Sequence, residues 1–313
     1  MLNVYGATPS RLLENEEIRQ LQVILGLRHE ETYDDCDDLA SRGMRYGRVL
    51  LMTDQDHDGF HIRGLFINFI HHFWPALLKR HGFVEQLVTP IVKATRGKET
   101  LSFYSLGEYE EWREREKEKE REREEGGERE RGERGVWRVK YYKGLGTSTA
   151  EEGREYFRRL HLLRSQYMWD YQIEDVTRNG SGGASDGKCV TKMDGAERKE
   201  AHPAIELAFA KENANDRKKW LIQYMSSLGH TSPEKSPARD STETTKTSTV
   251  TKQLSLSDFI HGTLIQFSHA DNVRAIPSVV DGLKQGQRKI LHACLMRRLN
   301  QEMKVSQLSG AGI

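Results

Sequence analysis

Asp54, Asp56 and Asp58 stand at alternate positions in Thr53-Asp54-Gln55-Asp56-His57-Asp58-Gly59. The preceding Val49-Leu50-Leu51-Met52 is a continuous apolar run, the pattern of a short strand buried on both faces. Three carboxylates are thereby expected at the carboxyl end of a strand, where ligands sit in open α/β sheets. Oxygen-only ligation favours a hard cation, Mg²⁺ first with Mn²⁺ or Ca²⁺ as alternatives, held by few carboxylates and shared with phosphate. Clustered negative charge of this kind suits metal-assisted phosphoryl transfer. An EF-hand loop also opens D-x-D-x-D-G, but its twelfth position, counted from Asp54, is Leu65 rather than glutamate. An aspartyl-phosphate motif would need Thr or Val where Asp58 stands. A purely structural acidic turn is the competing reading; it is costly, because packed carboxylates repel unless a cation compensates. His57 has the chemistry of a ligand or a base, but its oxygen-rich neighbours give it no role.

Two other segments carry chemistry. Lys143-Gly144-Leu145-Gly146 follows Arg138 and Lys140, and its glycines allow close backbone approach to a phosphate that Lys143 would neutralise. A simple turn is an equally good reading. Between Leu283 and Val305 lie Lys284, Arg288, Lys289, Arg297, Arg298 and Lys304 against one acid, Glu302. Ile290, Leu291, Cys294, Leu295 and Leu299 form an apolar helical stripe, with the bases largely off it. Phosphate contact is the sharper reading and a solvated basic face the plainer one. Arg274, Lys284, Arg288 and Lys289 are the candidates for holding a duplex.

The elements that must position these residues are legible from periodicity. Helices are expected over 12–27, 61–79, 204–224 and 284–299, and strands over 49–52 and 83–92. Strand, helix, strand at this spacing predicts a βαβ unit and a parallel sheet flanked by helices. Three segments interrupt the pattern. Residues 113–134 alternate Glu with Arg or Lys and contain nothing apolar; like charges fall at i,i+4 and opposite charges at i,i+3, so helical support is mixed and a solvated insert is expected. Residues 171–202, with Asn179-Gly180-Ser181-Gly182-Gly183, are expected to be a flexible loop, and 228–253, rich in Ser, Thr, Pro and Lys, a disordered linker.

Bulk composition narrows the class. The 313 residues are 36% apolar and 30% charged, with 48 basic and 47 acidic side chains for a net +1, so any nucleic-acid binding must rest on local patches. Cys36, Cys189 and Cys294 lack the spacing of a zinc site or a disulfide framework. No stretch is apolar and long enough for a membrane span, and the N-terminus has no signal-peptide core.

The segment Leu51-Met52-Thr53-Asp54-Gln55-Asp56-His57-Asp58-Gly59 resembles the second acidic motif of the Toprim domain in eukaryotic-type DNA topoisomerase II. The resemblance continues in Tyr141-Tyr142-Lys143-Gly144-Leu145-Gly146-Thr147-Ser148, Ala204-Ile205-Glu206-Leu207-Ala208-Phe209 and Asp216-Arg217-Lys218-Lys219-Trp220-Leu221. It then extends through Asp271-Asn272-Val273-Arg274-Ala275-Ile276-Pro277 and Asp281-Gly282-Leu283-Lys284. It implies a Toprim-type α/β domain over 1–227, the linker 228–253, and the start of a mainly helical winged-helix, breakage–reunion domain over 254–313. It further implies Mg²⁺ on Asp54, Asp56 and Asp58, double-stranded DNA as partner, and, in the full-length enzyme, ATP, a homodimer and a nuclear location. The family's upstream glutamate, catalytic tyrosine and ATP-binding domain are not found in these residues, so the isolated chain is expected to be inactive. Where the family has Lys-Pro-Gly-Gln-Arg, this chain has Lys284-Gln285-Gly286-Gln287-Arg288, which leaves the helix entry less rigid. A gyrase-like bacterial enzyme and a non-catalytic DNA-binding fragment are the alternatives.

Overall fold

The computed structural model describes residues 1–34, 38–104, 106–125, 136–142, 147–171, 201–230 and 252–311. Helices α1 (Pro9–Glu14) and α2 (Glu16–Leu25) open the chain. Asn15 separates them, capping α2 by accepting from the Ile18 amide at 3.0 Å, and Gly26 closes α2 in the left-handed conformation. The expected single helix over 12–27 is therefore two.

Strand β1 (Val49–Leu51) leads into α3 (His57–Phe73), α4 (Pro75–Lys79) and β2 (Val84–Leu87). The helix expected over 61–79 starts four residues earlier, because Asp56 caps it, and breaks at Trp74, because Pro75 has no N–H to continue the ladder. The strand expected over 83–92 also divides. After β2 the chain turns at Thr89 and Pro90 into β3 (Val92–Arg96), which with β4 (Glu99–Phe103) and β5 (Arg138–Tyr141) makes a separate antiparallel sheet in the order β4-β3-β5.

Helix α5 (Leu106–Glu125) follows β4, so the charged run is helical at least to Glu125; residues 126–135 lie outside the described residues. Tertiary packing overrides the mixed charge pattern here. Tyr109 and Trp112 pack against Phe103, Leu101 and Trp137 of the three-stranded sheet, and Glu116 gathers Lys119 at 3.0 Å and Trp137 Nε1 at 3.3 Å.

After β5 come α6 (Ala150–Arg158), α7 (Leu160–Leu163), β6 (Arg164–Met168), α8 (Pro203–Phe209) and α9 (Ala214–His230). The helix expected over 204–224 is split, and Arg217 explains the break: its guanidinium donates to the carbonyls of Leu207 and Ala210, both at 2.8 Å, satisfying the end of α8. Strand β7 (Lys252–Ser255) then leads through α10 (Leu256–Asp258) and a π-helical turn (Phe259–Leu264) into α11 (Ile265–Ala275), α12 (Gln285–Met296) and α13 (Val305–Ala311). The linker expected over 228–253 is thus helical at its start and a strand at its end; 231–251 lie outside the described residues.

The main sheet runs β1-β2-β6-β7, with β1 parallel to β2, β2 antiparallel to β6 and β6 parallel to β7. The α/β architecture with flanking helices is as expected, but the sheet is mixed rather than all parallel. Strand β1 is at its edge and half-buried throughout, which corrects the expectation of burial on both faces. The core is built on α3: Phe66, Ile67, Phe69 and Ile70 pack with Trp74, Phe83, Ile205, Leu256, Phe259 and Ile260, all nearly sealed from solvent. Gly64 lets α3 approach its neighbours closely; a Cβ there would sit 3.0 Å from Leu264 and 3.1 Å from Phe209.

His202 belongs to this core, whereas sequence placed it in the flexible loop ending at 202; residues 172–200 lie outside the described residues. Its Nε2 faces Asp170 Oδ1 at 2.9 Å, its backbone N–H donates to His71 Nε2 at 2.8 Å, and the Ser257 amide donates to Asp170 at 3.3 Å. Burial lowers the His202 imidazole below its ordinary value near 6.5, with Asp170 only partly offsetting it. Burial would raise the Asp170 carboxyl, but the hydrogen bonds from His202 and Ser257 prevail and leave it below its ordinary 3.8. Both groups therefore take up protons less readily folded than unfolded, so this cluster's contribution is complete at neutral pH and is lost as pH falls below about 6.5. Urea midpoints measured from pH 7.5 to 5.0 should fall less steeply for His202→Gln than for the wild type. Parallel pH profiles would show that the cluster does not govern acid stability.

Candidate metal and DNA-binding site

The acidic loop is held from below by α3. Thr53 Oγ1 donates to the Gly59 carbonyl at 3.2 Å, and Asp56 Oδ1 accepts from the Gly59 amide at 2.8 Å, so the loop folds back on the helix it starts. The fold-back is tight: a Cβ on Gly59 would lie 2.0 Å from the Asp54 carbonyl oxygen, a contact with backbone that no rotamer can relieve. Gly59→Ala is expected to force the loop open and lower the melting temperature, at a cost of about 3 kcal/mol or more. An unchanged melting temperature would show that the fold-back does not contribute to stability.

Arg63, nearly two turns into α3 and 3% exposed, is the organiser that sequence reasoning missed. Its Nε donates to the Gly59 carbonyl at 3.4 Å, and its Nη2 donates to the Asp54 carbonyl at 3.3 Å and to Gln55 Oε1 at 3.0 Å. Its Nη1 donates to Gln86 Oε1, which also accepts from Tyr167 Oη at 2.7 Å. Gln55 Nε2 in turn donates to the Leu87 carbonyl at 2.8 Å, tying the loop to the carboxyl end of β2. The only sequence signal was an arginine one turn ahead of Phe66 and Ile67, which are buried in α3.

Asp58 is held from the side. Arg274, in the last turn of α11, donates to its two carboxylate oxygens at 2.8 and 3.2 Å and through Nε to Asp271 at 2.9 Å. The hydrogen bond from Arg274 is the main cause that keeps the Asp58 carboxyl below its ordinary value, and Arg274 is held more firmly protonated in return. Beside the fork His61 stacks on Phe267 at 4.0 Å between ring centres, joining α3 to α11 a second time. Burial lowers the His61 imidazole.

Among the described residues, no group of three or more His, Cys, Asp or Glu side chains is arranged to hold a metal ion. The expected triad is therefore not assembled in this state: Asp58 is taken by Arg274, while Asp54 and Asp56 remain on the loop. The oxygen donors of Asp54 and Asp56 nevertheless suit a hard cation such as Mg²⁺, which needs only one or two protein carboxylates when phosphate and water complete its shell.

The expected DNA-facing residues divide. Arg288 forks onto Asp281 at 2.7 and 2.8 Å, and this contact holds the Asp281 carboxyl down at about 2. Lys284 and Lys289 are exposed, with no carboxylate partner among the described residues. Helix α12 starts at Gln285 without the proline, fixed instead by the Lys284 amide donating to Gln287 Oε1 at 2.9 Å. The apolar stripe of Ile290, Leu291 and Leu295 is exposed, and the main packing partner of α12 is α11. No hydrogen bond or ion pair among the described residues joins Lys284, Arg288 or Lys289 to the acidic loop. Lys143 lies outside the described residues. The residues flanking it converge on Glu152, which sequence reasoning also missed: it accepts from Tyr142 Oη, from Lys140 at 2.9 Å and from the Thr149 amide at 2.8 Å, with Lys93 at 3.5 Å. The Thr149-x-x-Glu152 capping box was the signal available for it.

An acidic loop at a strand end, clamped to a helix that leads into a basic helix, agrees with the resemblance to the Toprim class. Residues 87–179 and 189–272 match the C-terminal associated domain of TOPRIM, and 274–313 match the A-subunit family of DNA gyrase/topoisomerase IV. The chain is 42% identical over 311 residues to DNA topoisomerase 2-beta of Gallus gallus and 40% identical over 311 residues to DNA topoisomerase 2-alpha of Homo sapiens. It is covered to 99% in both cases while spanning only 16% and 17% of those relatives. The crystal structure of the Plasmodium falciparum topoisomerase II DNA-binding, cleavage and re-ligation domain superposes over 100% of this chain and 34% of that one, with a TM-score of 0.66 and 35% identity. The chain belongs to the eukaryotic-type DNA topoisomerase II family.

Proposed function

We propose that this chain is the metal- and DNA-binding portion of an ATP-driven type II topoisomerase, which breaks both strands of one duplex, passes another through and rejoins the first. The observation that carries the reading is the position of the acidic loop, at the carboxyl end of β1 and in direct contact with α11. Asp54 and Asp56 would hold Mg²⁺, joined by Asp58 once Arg274 leaves it. When bound, the ion supplies positive charge at the attacked phosphate and the leaving oxygen. Arg63 fixes the loop backbone, and Arg274 is placed to transfer from Asp58 to a DNA phosphate. Lys284, Lys289 and, after release from Asp281, Arg288 would grip the duplex backbone, together with Lys143. ATP use, homodimer formation and a nuclear location are proposed for the full-length enzyme. Among the described residues, no helix is long and apolar enough to cross a membrane.

The 313 residues by themselves are proposed to bind duplex DNA without cleaving it. Fluorescence anisotropy with a duplex oligonucleotide should show binding that weakens steeply with salt, and Lys284→Gln/Lys289→Gln should flatten the salt slope by about two units, one per lost phosphate contact. Salt-independent binding, or a slope untouched by the double substitution, would remove α12 from the DNA interface. Linearisation of supercoiled plasmid by the chain with Mg²⁺ would overturn the proposal that it is inactive alone.

A further inference from the structure

The fork between Asp58 and Arg274 has a chemical consequence. A carboxylate that accepts both hydrogen bonds of a guanidinium has its oxygen lone pairs engaged and its charge offset, so it is a poor metal ligand until the guanidinium departs. Arg274 comes from 216 residues away, through α11, and is more than half exposed, so it is free to swing to another anion without unpacking the core. The α3–α11 contact would survive its departure, because the His61–Phe267 stack holds the helices independently. Asp271, at 2.9 Å from Nε, keeps the side chain near the site in either position. The loop thus carries two cations, Arg63 beneath on its backbone and Arg274 at the side on Asp58.

We infer that Arg274 sets the divalent-cation affinity of the acidic loop by competing for Asp58, and that a DNA phosphate relieves the competition by taking the guanidinium. The inference rests on the proposed metal-binding role of the loop. Metal and DNA then bind cooperatively through an exchange of ion pairs: phosphate takes Arg274, and metal takes Asp58. Linkage makes the coupling reciprocal, so metal also strengthens the chain's grip on duplex.

The test measures Mn²⁺ affinity of the full chain by electron paramagnetic resonance, with no DNA present, for the wild type, Arg274→Gln and Arg274→Lys. Folding of each variant is checked by its thermal transition. An exposed ion pair of this kind is worth enough for Arg274→Gln to bind Mn²⁺ about two- to fivefold more tightly. Arg274→Lys separates competition by the fork from simple charge repulsion. A lysine keeps the charge but cannot fork, so competition predicts affinity close to that of Arg274→Gln, whereas charge repulsion alone predicts wild-type affinity. Adding a short duplex oligonucleotide should bring the wild type up towards the variants. Equal Mn²⁺ affinity for wild type and Arg274→Gln, or wild-type affinity for Arg274→Lys, would overturn the inference while leaving the metal-binding role intact. Absence of Mn²⁺ binding in all three proteins would overturn both.

Discussion

Arg63→Met is expected to destabilise the protein by about 3 kcal/mol, because hydrogen bonds from one buried guanidinium to four acceptors are lost at once, and a hydrogen bond to a charged group contributes about 1.5–3 kcal/mol. The acceptors are the carbonyls of Asp54 and Gly59 and the side-chain oxygens of Gln55 and Gln86; Gln86 keeps the Tyr167 hydroxyl and the two carbonyls keep the Thr53 hydroxyl within reach, at 3.4 and 3.2 Å. Methionine fills similar volume, so the loss reports the polar network rather than a cavity. Arg63→Lys should recover only part of the stability, since one ammonium cannot span four acceptors arranged around a planar fork. The effect should also reach the site. With the loop no longer pinned to α3 and β2, amide hydrogen exchange at Gln55 and Gly59 should accelerate well beyond the rate of global opening. A urea midpoint within experimental error of the wild type would show that Arg63 is not the organiser of the loop.

Glu152→Gln is the second substitution with a large expected effect. Glu152 accepts from two lysines, a tyrosine hydroxyl and the backbone amide of Thr149, and Lys93 beside it is 12% exposed. Removing the carboxylate strands Lys93 in a half-closed site whose remaining partners are the rings of Tyr142, 5.5 Å away, and Tyr156, 5.2 Å away. The expected loss is about 2–3 kcal/mol, the range for a charge-assisted bond together with a partner left partly desolvated. The pH dependence gives an independent signature. Burial would raise the Glu152 carboxyl, but the bonds from Tyr142 and Lys140 and the Thr149 amide prevail and hold it at about 2, down from 4.5. A depressed carboxylate contributes fully above its unfolded value, and the contribution disappears as pH falls from about 4.5 to about 2. The difference in stability between wild type and Glu152→Gln should therefore shrink across that window. A difference that stays constant down to pH 2 would show that the ionised carboxylate is not the source of the effect. Because Tyr142 and Thr149 bracket residues 143–146, the same substitution should weaken duplex binding if that segment faces DNA.

Local patterns were legible where local forces decide. The apolar run ending in Met52 and the alternating aspartates define a strand and a loop from sequence alone, whereas the helix start was placed four residues late, because periodicity does not register Asp56 as the N-cap of α3. The apolar stripe of α3 likewise announced the core. The breaks at Trp74–Pro75 and at Ala210–Asn213 were available in principle: proline has no donor, and Arg217 sits within reach of α8. Periodicity alone ran through both.

What only the tertiary structure decided are contacts between residues far apart in the chain. Helix α5 persists into a charged run because Trp112 finds Trp137 and Phe103, and His202 enters the core with its Nε2 paired to Asp170 and its backbone N–H to His71. Spacing in sequence carries no information about such partners. The same holds for the charges: from composition, Arg274 and Arg288 were cations awaiting phosphate. In the folded chain each is already forked onto an aspartate, Asp58 and Asp281, and that pairing is a property of where α3, α11 and α12 lie in space. Sequence named the carboxylates and bases proposed for metal and duplex, and the fold decided which of them are paired with each other: Asp58 with Arg274, and Asp281 with Arg288.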